Sequence, residues 1–206
     1  MNKITTIILD RPGLSDFSQE RNRLLAKVNT DWALFLDKDE TLSGPLPENL
    51  DKRFNYAFKR EDWFLGKKLC HGETASLRFT RLIQPGSGQW VGKVHEHFIS
   101  NLQANLQGST LKAKIIHNRK ITISQFLDRI NYYSDLKAQE INRFSLFELL
   151  FYPCFKFVKN YFWQLGCLDG IPGLAMAVMM SLHSLAVRIK VYEKSFAGTA
   201  AYPGSC

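Results

Sequence analysis

The run WALFLD, Trp32 to Asp37, is apolar at every position but its last. A strand with one wet face alternates apolar and polar residues, so a run without alternation reads as a strand covered on both faces, as in the central sheets of α/β folds. Upstream, KITTIILD is β-branched and apolar, and RPG closes it with a proline and a glycine, so it reads as a second buried strand. Between the two, LSDFSQERNRLLAKVNT places Phe17, Leu24, Leu25 and Val28 at roughly helical spacing behind Ser15 or Asp16 as cap. Strand, helix, strand is the unit of a parallel sheet, and ligands in such folds gather at the carboxyl ends of strands. At that end of WALFLD stand Asp37, Asp39 and Glu40.

Like charges this close repel unless something cationic sits among them. Asp37 and Asp39 are two apart, so on an extended backbone they point to the same side. Their hard oxygens suit Mg²⁺ or Mn²⁺, ions commonly held by one or two carboxylates plus the phosphates of a substrate. The plain alternative is a solvated loop after a strand. The chain as a whole carries a net charge of +8, which favours anionic partners: phosphates, nucleotide diphosphates, anionic lipid or nucleic acid. With 45% hydrophobic and 22% charged residues it is a folded chain, and 206 residues suffice for one domain or a domain with an appendage.

Further along, LDKRFNYAFKREDWFLG is strand-like and ends in charge, and ETASLRFTRLIQPGSGQWVGKVHEHF reads as a strand, a hairpin-like turn at QPGSGQ and another short strand. NLQGSTLKAKIIHN reads as turn and strand, and TISQFLDRINYYSDLKAQEINR as a long helix capped by Thr122 or Ser124. Alternation puts His95 and His97 on one side of a strand and Glu96 on the other. A two-histidine metal site there needs further ligands, and His71 in CHGE is another candidate. Glu96 is a candidate general base, and Arg60, Arg78 and Arg81 are each able to pair with phosphate; taken singly, each also reads as an ordinary surface residue. Cys70, Cys154, Cys167 and Cys206 show no spacing of a zinc or disulfide framework, so a reducing cytoplasm is the simpler setting. The turn at Arg11 to Gly13 interrupts the first apolar run before a signal-peptide core forms.

Beyond Arg143 the composition changes to aromatic and apolar residues punctuated by Lys156, Lys159, Arg188 and Lys190. Its longest uncharged stretch, Gly170 to Val187, is near the shortest able to span a bilayer, and Pro172, Gly173, Ser181, His183 and Ser184 interrupt it. Two readings compete: helices packed as a core, or an interfacial hairpin in a membrane surface. Basic residues beside aromatics favour the second.

In order along the chain, FSQERNRLL, DWALFLDKDE, FKREDWFLGKKLCHG, RLIQPGSGQWVGKVHE and GCLDGIPG resemble the branch of glycosyltransferase family 2 that includes lipopolysaccharide core glucosyltransferases; DWALFLDKDE is similar to that family's W-x-L-x-L-D-A-D-E segment. The ordered set covers roughly residues 17 to 175. The resemblance implies a GT-A type, Rossmann-like mixed sheet with flanking helices, inverting sugar transfer from a nucleotide-diphosphate donor to a cell-envelope or lipid-linked saccharide, and Mg²⁺ or Mn²⁺ as cofactor. It implies Asp39 as metal ligand, Asp37 at the nucleotide or the metal, Glu96 as acceptor-activating base with His95 beside it, and Arg81 at the diphosphate or acceptor. Arg60 is a further candidate for substrate binding, and Asp62 and Glu61 are the alternative acids.

The family's opening strand, Asn-Glu pair and D-x-x-S-x-D-x-T segment, which form the front of its nucleotide pocket, have no counterpart here. The expectation is then a partner chain that supplies that part, a reduced donor site or an inactive remnant. Expected organisation is a truncated catalytic domain over 1–143, a helical region over 144–194 that meets a membrane surface, and a tail over 195–206. Expected localisation is cytoplasmic, peripheral at the inner face of the cytoplasmic membrane. Other readings are a non-catalytic glycosyltransferase-like subunit or membrane-surface binding protein; nucleic-acid binding, which only net charge and scattered aromatics suggest, is not expected.

Overall fold

The computed structural model describes residues 2–9, 16–92, 96–102 and 110–197. The chain divides into two compact units, Met1–Leu69 with Glu73–Lys120, and Cys70–Gly72 with Ile121–Cys206.

The first unit opens as β1 (Ile4–Leu9), α1 (Phe17–Leu25) and β2 (Trp32–Asp37), the strand, helix, strand order expected of the sequence. Asp16 caps α1 by accepting from the backbone N–H of Gln19. Then come β3 (Glu40–Leu42), β4 (Tyr56–Phe64), β5 (Lys67–Lys68), β6 (Arg78–Ile83), β7 (Gly88–Val91), β8 (His97–Ser100) and β9 (Ile115–Arg119). The main sheet has the order β1-β2-β6-β4-β9-β3, with β5 attached to β4. β1 runs parallel to β2 and β4 parallel to β9, while the other pairs are antiparallel. The result is a mixed α/β sheet.

β2 explains its own composition. Trp32, Leu34 and Leu36 point into one apolar cluster with Tyr56, Phe58, Leu82 and Ile115. The intervening Ala33 and Phe35 point into a second cluster with Leu25, Ile83 and Trp90, against which Phe17, Leu24 and Val28 pack. Both faces are therefore dry, one covered by α1 and the other partly by the loop residues Leu46, Leu50 and Phe54. Withdrawing a side chain the size of Phe35 from water contributes about 1.5–3 kcal/mol.

QPGSGQ does not close a hairpin between the strands that flank it. β7 pairs instead with β8, from Gly88 opposite Ser100 to Val91 opposite His97. Gly88 is needed there: its φ is +154°, and a Cβ would collide with the carbonyl of Ile99.

The second unit is helical. α2 (Ile123–Glu140) begins with a reciprocal capping box between Thr122 and Gln125. α3 (Leu146–Val158) continues through a wider π-type turn, Lys159–Trp163, and a tight turn, Gly166–Asp169, into α4 (Ile171–Ala197). α2 and α3 both pack against α4. The buried carboxylate of Asp169 accepts the backbone N–H groups of Cys70 and His71 and lies 2.9 Å from His71 Nδ1, which ties the segment Cys70–Gly72 to the helices. His71 thus acts as a strut within this unit.

Candidate active site

At the carboxyl end of β2 the alternation of side chains stops. Residues 38 and 39 form a turn. Glu40, nearly fully buried, folds back so that its Oε2 accepts the backbone N–H of Asp37 at 3.0 Å. Asp37 and Asp39 consequently meet different partners, in place of the shared side that an extended backbone would give.

Asp37 receives two arginines. Arg21 Nη2 donates to its Oδ1 at 2.6 Å and Arg81 Nη2 to its Oδ2 at 3.2 Å. Arg21 also donates through Nε to Glu96 Oε1 at 3.0 Å, and Arg81 Nη1 lies 3.8 Å from the same oxygen. The two guanidiniums thus bridge Asp37 to Glu96, residues far apart in sequence. Arg21 is fully buried and its ring neighbours explain why: its guanidinium lies over Trp90 at 4.9 Å and Phe35 at 5.6 Å. Burial first, and then the neighbouring Arg81, push the Arg21 pKa down, while Asp37 and Glu96 push it back up. Asn22 fixes the geometry by donating to the Trp90 carbonyl at 2.9 Å and accepting its N–H at 2.8 Å.

Charge balance at this cluster leans acidic, with Asp37, Glu40 and Glu96 facing Arg21 and Arg81. Even so, Arg21 Nη1, Arg81 Nε and Arg81 Nη1 are buried with no hydrogen-bond acceptor among the described residues. Buried donors without acceptors are costly, and phosphate oxygens are among the acceptors a guanidinium binds best. Asp37 remains 36% exposed, so the cluster opens to solvent at the carboxylate.

Asp39 meets His117. Strand register sets this up: His117 on β9 lies opposite Glu40 on β3 and opposite Asp62 on β4. His117 Nδ1 is 2.6 Å from Asp62 Oδ1, and its Nε2 is 3.2 Å from Asp39 Oδ2. Behind them Arg60 donates through Nε to Asp62 Oδ2 at 3.1 Å and stacks over Phe79 at 4.9 Å. Asp62 is fully buried, whereas Asp39 is 27% exposed.

The expected site residues fall into place as follows. Asp37, Arg81 and Glu96 converge. Asp39 joins His117, Asp62 and Arg60 instead, so Arg60 supports a buried carboxylate. Glu61 pairs with Lys114 and Lys68. His95 lies outside the described residues. His97 is exposed at the start of β8, and Arg78 is exposed at the start of β6. Arg21 and His117 are additions from the structure. Their signal in the sequence is positional: Arg21 shares the buried stripe of α1 with Ser18 and Leu25, and His117 shares the inward side of β9 with Ile115.

Asp39 and His117 are the residues here that could hold a divalent ion. Among the described residues, no group of three or more histidine, cysteine or acidic side chains forms a metal cage. Asp39 and His117 together offer a carboxylate and an imidazole, with Asp62 orienting the ring as second carboxylates do for metal-bound histidines. When His117 Nδ1 donates to Asp62, its Nε2 and the Asp39 oxygen face each other as two lone-pair donors, and a proton or a cation between them relieves the repulsion. Two protein ligands completed by substrate phosphates suit Mn²⁺ or Mg²⁺.

No family model matches the chain. Over 191 residues it is 24% identical to the lipopolysaccharide core biosynthesis glycosyltransferase LpsC of Rhizobium meliloti, a similarity that covers 86% of this chain and 70% of that protein. This distant relationship supports a general glycosyltransferase role.

Proposed function

We propose that the protein is an inverting, metal-dependent glycosyltransferase that moves a sugar from a nucleotide-diphosphate donor to a cell-envelope saccharide, free or lipid-linked. The observation that carries this reading is the convergence, at the carboxyl end of β2, of the solvent-accessible Asp37 with two buried arginines and a second carboxylate, Glu96. The name of the relative points the same way.

In this reading the donor diphosphate lies across the end of β2. Arg21 and Arg81 supply unsatisfied N–H donors to its oxygens and hold Asp37 in place. Asp39 and His117 would hold the divalent ion, whose positive charge stabilises the diphosphate as it departs. Glu96 takes the proton of the acceptor hydroxyl. Its Oε1 is engaged by Arg21, while its Oε2 makes no hydrogen bond among the described residues. The acceptor oxygen then forms a bond to the anomeric carbon from the face opposite the diphosphate. The bond from that carbon to the phosphate oxygen breaks, and its electron pair leaves with the nucleoside diphosphate. Inversion follows from attack on the opposite face.

The test is release of nucleoside diphosphate from a panel of nucleotide sugars, with Mn²⁺ and envelope saccharides present. Turnover by the wild type and its loss in Asp39→Ala is the expected result. No turnover across the panel, or undiminished turnover in Asp39→Ala, would overturn the proposal.

A further inference from the structure

The helical unit presents a face that a protein in water does not ordinarily show. Along α3 and the wide turn that follows it, Phe147, Leu150, Phe151, Phe155, Val158 and Phe162 recur at helical spacing, and all are exposed. Phe147 is 70% exposed, and beyond the stripe Trp163 is 78% and Ile171 77% exposed. α4 also exposes Leu174, Val178 and Leu182, one above another at helical spacing. The opposite side of α4 is already occupied: Met176, Ala177, Val187 and Val191 are buried. Large apolar side chains exposed in such number on one pair of packed helices mark an interaction site.

Three observations choose the occupant. Lys156 and Lys159 rise from the aromatic segment itself, while its acids are taken up, Glu148 by Arg188 at 3.6 Å and Asp169 by His71. Lysine is depleted in protein interfaces and suits anionic head groups. The residues are also those of an interfacial helix, with Phe and Trp on the apolar side. Finally, Ile171–Phe196 is long and apolar enough to cross a membrane, but its neighbours argue against crossing. α2 packs on α4 and carries Asp128, Arg129, Asp135, Lys137 and Glu140, and Lys190 of α4 binds Asp135 at 2.7 Å. A spanning α4 would draw these charges into hydrocarbon.

We propose that the outer face of α3 and α4 is a monotopic docking surface that lies in the interface of a bilayer containing anionic lipid. Phe147 to Phe162 and Ile171 face the acyl chains, and Lys156 and Lys159 sit at the level of the head groups. This inference stands on the helical unit alone and does not require the transfer reaction.

The experiment is sedimentation of the full chain with vesicles of phosphatidylcholine, alone or mixed with phosphatidylglycerol, read together with tryptophan emission. The wild type is expected to sediment with the mixed vesicles and to show a blue shift that Trp163→Phe removes. Phe151→Ser with Phe155→Ser and Trp163→Ser should weaken partition at least ~tenfold while circular dichroism stays unchanged. Lys156→Glu with Lys159→Glu should abolish the preference for phosphatidylglycerol. Three results would overturn the proposal: a wild type that stays in the supernatant with both vesicles, a serine variant that sediments as the wild type does, or a stable dimer that the serine substitutions break without any vesicle binding.

Discussion

His117 Nε2 stands 3.2 Å from Asp39 Oδ2 while its Nδ1 stands 2.6 Å from the fully buried Asp62. One imidazole thus joins a buried carboxylate to a solvent-accessible one, at the end of the strand that anchors the sheet. The pairing accounts for the buried histidine on β9, and under the proposed function His117 is the second ligand, beside Asp39, for a divalent ion.

Asp39→Asn and His117→Ala should each weaken Mn²⁺ binding in the presence of a nucleoside diphosphate. Asp62→Asn should act at one remove, with a loss of about 10–100-fold as for other residues that orient a metal ligand. Titration of the Mn²⁺ paramagnetic resonance signal reads all three, and wild-type affinity in all of them would count against the assignment.

Glu96→Gln keeps the size and most of the polarity of the side chain but cannot take up a proton. Donor binding should be retained and transfer reduced by about 10²–10⁴-fold. Unchanged transfer would remove Glu96 from the role of base.

Arg21 is the sole fully buried guanidinium in a bridge to two carboxylates among the described residues. Arg21→Met leaves Asp37 and Glu96 without it, and the loss should be about 3–5 kcal/mol in urea unfolding. Arg21→Lys keeps the charge but lacks the fork that spans both acids, so it should recover only part of that stability. Equal stability of Arg21→Met and the wild type would show that the bridge contributes nothing to the fold.

The unalternated WALFLD announced a covered strand, and the two apolar clusters on its faces are the physical content of that signal. The helix of Phe17 to Leu25 and the capped helix after Thr122 were equally legible, because caps and period are local. What could not be read is what depends on register. Asp37 and Asp39 part company because a two-residue turn follows β2, and no local rule places a turn inside DKDE. His117 gains its role only because β9 lies parallel to β4 with His117 opposite Asp62. β7 forsakes β6 for β8, although a glycine-rich turn usually closes a hairpin between the strands that flank it. Arg21 was hidden by a sound prior, that a charged residue on an amphipathic helix faces water; here rings above it and acids beside it make burial tolerable.

Glu61 offers a pH test away from the site. The hydrogen bond from Lys114 chiefly, and that from Lys68, hold its carboxyl below the usual glutamate range in the folded protein. The stability it contributes is therefore complete above the unfolded-state pKa and is lost as pH falls through the lower folded value. The difference in unfolding free energy between the wild type and Glu61→Gln should be present at neutral pH and shrink in acid. A difference that grows as pH falls would contradict this sign.

Calorimetric titration with nucleoside diphosphates, with and without Mn²⁺, decides whether the carboxyl end of β2 binds a diphosphate with the help of a divalent ion, as proposed. Saturable binding to the wild type that requires Mn²⁺ and disappears in Asp39→Ala is the expected result. Silence across the whole panel, or binding indifferent both to Mn²⁺ and to Asp39→Ala, would contradict it.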